Sequence, residues 1–112
     1  MTYRLILPAA VYAVIIGLSS LPADAFPETP TGLGLLAHAA EYAALGASLR
    51  WALANIRPAT AVTVVVVLLL AGVDEAFQSL RPGRTPEAID YAIDVAAATL
   101  AALAVRRSTP YR

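Results

Sequence analysis

The run VVVVLLL at 64–70 constrains this chain more than any other stretch. In water, consecutive β-branched residues favour a strand. In lipid, a lone strand leaves its backbone unsatisfied and a helix does not. The choice of solvent therefore decides the element, and composition decides the solvent. The 112 residues are 59% hydrophobic and 14% charged, with a mean hydropathy of +0.68. Soluble domains average roughly a quarter charged residues. The expectation is a small integral membrane protein with a helix over 58–77.

Three further apolar segments follow the same logic, at 5–21, 33–53 and 88–105. Each is near the length that crosses about 30 Å of hydrocarbon. Pro8 sits early in the first, where proline disrupts least. The links are short and carry turn residues: ADAFPETPTG, ANIR and SLRPGRTPE, with Thr85 a candidate cap. Short links imply antiparallel neighbours. The expected fold is all-α, a four-transmembrane-helix antiparallel bundle over 1–105 with a basic tail at 106–112.

Arginines orient it. Arg4, Arg50, Arg57, Arg106, Arg107 and Arg112 all fall on one side of four alternating helices. The rule that positive residues stay inside then places both termini in the cytoplasm. Arg4, the apolar run after it and SSLPADA also fit a signal peptide cut after Ala25. A retained helix is favoured, because the run is long and the rest of the chain also needs a membrane. The expected location is the bacterial cytoplasmic membrane, multi-pass, with the longer loops outward.

That topology gathers polar residues scattered in sequence. Ser19, Ser20, His38, Glu41, Asp74, Glu75, Gln78, Asp90 and Asp94 share the outer leaflet. His38 and Glu41 are three apart and Asp90 and Asp94 four apart, so each pair shares a helix face. Asp74 and Glu75 diverge by roughly 100°. A charge inside a bilayer costs roughly 2.5–3.5 kcal/mol on insertion scales, so these acids need partners, protons or water. Arg81, Arg84 and His38 are the natural partners.

Composition also excludes chemistry. There is no cysteine, hence no disulfide or thiolate site, and all eight basic residues are arginine, hence no Schiff base. With zero net charge and no basic run beyond Arg106–Arg107, nucleic acid is excluded as a partner. Haem, flavin and nucleotide signatures are absent, as are HExxH, P-loop and G-x-S-x-G patterns. A divalent metal fits the oxygen and imidazole donors, with His38, Asp74 and Asp90 as candidate ligands.

The blocks GLSSLP at 17–22, HAAEYAALG at 38–46 and DEAFQSLRPGR at 74–84 with Asp90 beyond resemble the VanZ-like family of small bacterial membrane proteins, named for a teicoplanin-resistance protein. The matching positions are Leu18, Ser19, Ser20, His38, Tyr42, Leu45, Gly46, Asp74, Glu75, Gln78, Pro82, Arg84 and Asp90. One departure is Asp94, where the family commonly has Asn and then Gly; Ala97 and Ala98 follow instead. The resemblance implies a cell-envelope role and, in some members, glycopeptide tolerance.

Three functions stand open at this point. The first is binding of an envelope component, a lipid-linked wall precursor or a glycopeptide, with membrane lipid around it. Its ligand set is Ser20, His38, Tyr42, Asp74, Glu75, Gln78, Arg84, Asp90 and Asp94. The second is a membrane-embedded hydrolase or transferase acting on a lipid-linked substrate, with His38, Glu41, Asp74 and Glu75 as candidate catalytic groups. The third is a structural membrane protein whose polar cluster pins its helices together.

Overall fold

A computed structural model describes residues 2–19, 31–80 and 88–105. A short 3-10 turn, Thr2–Leu5, leads into four helices: α1 (Ile6–Ser19), α2 (Thr31–Ala52), α3 (Ala59–Gln78) and α4 (Ala88–Ala104). They stand on the four apolar segments. Pro8 falls in the first turn of α1, where its missing N–H is not needed.

Pairwise contacts give the directions. Arg4 reaches Trp51, Tyr42 reaches Asp74 and Tyr91 reaches Leu68, so successive helices alternate. α2 and α4 consequently run parallel, with His38 beside Asp94 and Gly46 beside Ala98. The α2–α4 seam is the tightest in the bundle. A β-carbon built on Gly46 would collide with the carbonyl of Ala98 and lie 2.7 Å from its α-carbon. Glycine at 46 is what allows this approach.

The core holds Ile15, Tyr42, Leu45, Leu49, Leu53, Val67, Ala71 and Ala98. Helical spacing explains which faces turn inward. In α3 the buried stripe is Thr63, Val67, Ala71 and Asp74, and in α4 it is Asp94, Ala98 and Ala102. Each stripe repeats at three or four residues, so each carries one aspartate inward by periodicity alone. Val65, Leu69 and Val73 of α3 and Leu100 and Leu103 of α4 face outward. On α3 and α4 the inward stripes are thus mostly small or polar, while larger aliphatics turn outward.

The four-span membrane bundle is corrected. Among the described residues one helix, over Ala59–Phe77, is long and apolar enough to cross a membrane, and the apolar Tyr3–Ser19 helix is shorter. α2 carries His38, Glu41 and Arg50 within its length, and α4 is 17 residues long with Asp90 and Asp94. The radius of gyration is 14.5 Å, close to the roughly 13 Å of a compact domain of this length. What forms is a compact four-helix bundle with a polar network inside.

The readings that required the membrane bundle fall with it. These are cytoplasmic termini with an outward-facing site, residence in the bacterial cytoplasmic membrane, and membrane lipid as a partner. The lipid-linked precursor and glycopeptide as ligands, the embedded hydrolase or transferase, and the membrane scaffold go too. The physical reason is that mean hydropathy counts alanine with the larger apolar residues, and alanine-rich α2 and α4 also carry His38, Glu41 and Arg50, and Asp90 and Asp94, along their length.

Candidate functional site

The polar residues that the fold brings together lie between α2, α3 and α4, with α1 at one side. His38 enters from α2, and its Nδ1–H donates to Oδ1 of Asp94 on α4 at 3.1 Å. One helical turn on, Tyr42 donates its hydroxyl to Oδ2 of Asp74 on α3 at 2.6 Å. Tyr42, Asp74 and Asp94 are buried, and His38 is half-buried. Tyr12 of α1 closes the group, donating to the carbonyl of Leu70 at 2.6 Å.

The electrostatics follow from burial. The hydrogen bond to Asp94 raises His38 to about 9, against a lowering by burial and with help from the charges of Asp94, Asp90 and Glu41. His38 is therefore a cation at neutral pH. Burial raises the Asp94 carboxyl, and the bond from His38 pulls it partly back. Burial first, then the bond to Asp74, raises the Tyr42 phenol, while burial and then the Asp74 charge push Tyr12 up to about 12. Both phenols stay protonated and act as donors. Oδ1 of Asp74 is buried and has no hydrogen-bond partner among the described residues. Fully ionised, the network holds two aspartates against one imidazolium.

Glu41, one turn beyond His38, lines a groove between α1 and α2. The groove measures about 230 Å³ and is otherwise lined by Val11, Val14, Ile15 and Ala44. The surface inside the groove is apolar throughout, so Glu41 contributes its aliphatic stem there.

The sequence-predicted set divides accordingly. His38, Tyr42, Asp74 and Asp94 are brought together, and Asp90 is near enough for its charge to act on His38 and Asp94. Glu75 is half-buried beside Asp74 in sequence, on a different face. Gln78 ends α3. Ser20, Arg81, Arg84, Thr85 and the 106–112 tail lie outside the described residues. Among the described residues no three His, Cys, Asp or Glu side chains cluster to hold a metal, so His38, Asp74 and Asp90 do not form a ligand set there.

Tyr12 is a residue that the sequence reading does not single out. Its signal was present: positions 8, 12, 15 and 19 recur at helical spacing, and Pro8, Ile15 and Ser19 are the buried residues of α1. No family model matches the chain, and neither a curated protein nor a solved structure does, so the likeness drawn above rests on its motif residues alone.

Proposed function

We propose that this bundle binds a small amphiphilic cation, an organic ammonium with a short apolar tail, in the α1–α2 groove. The observation that carries the reading is the apolar lining, Val11, Val14, Ile15 and Ala44, for the tail, with Glu41 on the same wall to supply charge at the groove's edge. Burying an alkyl group contributes about 0.8 kcal/mol per CH₂. A carboxylate at the edge of an apolar wall selects a cation over a neutral isostere. The acids around His38 add a negative field to that end of the molecule.

Raised to about 9 and bonded to Asp94, His38 is held as a charged partner of that aspartate and is not poised as a general base at neutral pH. It also repels a cation at Glu41, so raising the pH through about 9 strengthens binding.

Titration with butylammonium, followed by amide shifts of α1 and α2, tests this. Saturable binding is expected, with butanol weaker and Glu41→Gln reducing butylammonium affinity by about tenfold. Equal affinity for butanol and butylammonium overturns the reading, and so does an unchanged affinity in Glu41→Gln.

A further inference from the structure

The end of the bundle opposite the acids is cationic. The described arginines, Arg4, Arg50 and Arg57, lie there, while Glu41, Asp74, Glu75, Asp90 and Asp94 lie toward the other end. Arg50 is the unusual one. It is 8% exposed, in the last turn of α2. Its Nε donates to Oγ1 of Thr60 at 3.2 Å, which sets the guanidinium against the first turn of α3. Its Nη1 is buried without any hydrogen-bond partner, and among the described residues no carboxylate pairs with Arg50.

A buried guanidinium without a counter-charge is costly, because desolvation is not offset by attraction. The helix it touches has a matching need. α3 starts after Pro58, whose side chain makes no cap, and its first turn holds no acid. The first amides of this 20-residue helix therefore have no side-chain cap from Pro58, and the positive end of the helix dipole stands behind them. A guanidinium fork and a helix N-terminus each suit an oxyanion, and here they meet at Thr60.

We propose that this corner binds a phosphate-class oxyanion, held by the Arg50 guanidinium and the first amides of α3. The planar fork pairs with two phosphate oxygens, which a lysine cannot do. The bound anion neutralises Arg50 and caps the helix together. Exposed Arg57, just before α3, adds charge at the rim.

The single tryptophan reports on the site. Trp51 follows Arg50 in sequence, and the Arg4 guanidinium carbon sits 4.6 Å from its ring centroid. Sodium phosphate, compared with sodium chloride at matched ionic strength, should change Trp51 emission saturably and raise the unfolding temperature. Arg50→Met should weaken the phosphate response by about tenfold or more, yet unfold at a higher temperature than wild type in chloride, since the uncompensated charge is gone. If Arg50→Met does not fold, Arg50→Lys takes its place, keeping the charge and losing the fork, and should also bind more weakly. Glu41→Gln, at the far groove, should keep the full phosphate response. Identical behaviour of wild type in phosphate and chloride overturns the proposal. So does wild-type phosphate affinity in whichever Arg50 variant folds.

Discussion

Nδ1 of His38 lies 3.1 Å from Oδ1 of Asp94, joining two parallel helices through the one histidine of the chain. That histidine titrates at about 9, well above its ordinary value of 6.5, chiefly through this bond. A single imidazole gives a clean NMR titration. The midpoint should stand near 9 in the wild type and fall toward the ordinary range in Asp94→Asn. A variant midpoint still near 9 would assign the shift to Asp90 and Glu41 instead.

The same shift fixes a pH dependence of stability. A base whose folded value exceeds its unfolded one binds its proton more tightly when folded. Its contribution is complete below about 6.5 and is lost as the pH rises through about 9. Asp94, raised by burial, acts in the same direction at lower pH: its contribution is present below the usual carboxylate range and lost as the pH climbs through its raised value. Urea unfolding from pH 6 to 10 should show declining stability across the histidine window, with a flatter profile in His38→Gln. A rise in stability over that window would contradict the pairing.

Tyr42→Phe removes the hydroxyl that serves Oδ2 of Asp74. Oδ1 is already without a partner, so the variant leaves a buried carboxylate with neither oxygen satisfied. The expected loss is about 1–3 kcal/mol, at the upper end because the acceptor is a carboxylate. Equilibrium unfolding measures it; a loss below about 0.5 kcal/mol would show that Asp74 does not depend on Tyr42.

Gly46→Ala adds one methyl where the backbone of Ala98 already stands. Unlike a flexible side chain, a carbonyl cannot swing aside, so α4 must move. Overpacking of this kind costs about 1–3 kcal/mol. The displaced α4 should also weaken the His38–Asp94 bond, and the histidine midpoint should drop along with the stability. Stability lost with the midpoint unmoved would mean the two features are independent.

Tyr12→Phe cuts the bond from α1 to the carbonyl of Leu70. The expected cost is about 1 kcal/mol. Hydrogen exchange should accelerate in α1 more than in α4, since α1 loses a polar tie to α3. Uniform acceleration across all four helices would argue against a local tether.

The helices were legible in the sequence, and the short links between them put His38, Asp74 and Asp94 toward one end; Tyr42 entered only through the motif likeness. Asp94 stood out as a departure from a family pattern, and it is the partner of His38. The environment of the helices was not legible. On α3 the stripe Thr63, Val67, Ala71 and Asp74 turns inward while Val65, Leu69 and Val73 turn outward. Mean hydropathy sums both faces and cannot tell which meets a neighbour. Arg50 was read only as one charge in an orientation count, because its contact with Thr60 depends on how α2 and α3 meet.

Gly46 has a consequence beyond close packing. It lies about two turns along α2 from His38, on the same seam, and the Ala98 carbonyl sits where a side chain would otherwise stand. The notch and the ion pair together index α4 axially against α2, as a tooth and a latch would. Sliding by a single turn, about 5.4 Å, has to disengage both at once, so the two helices shift as one body or not at all.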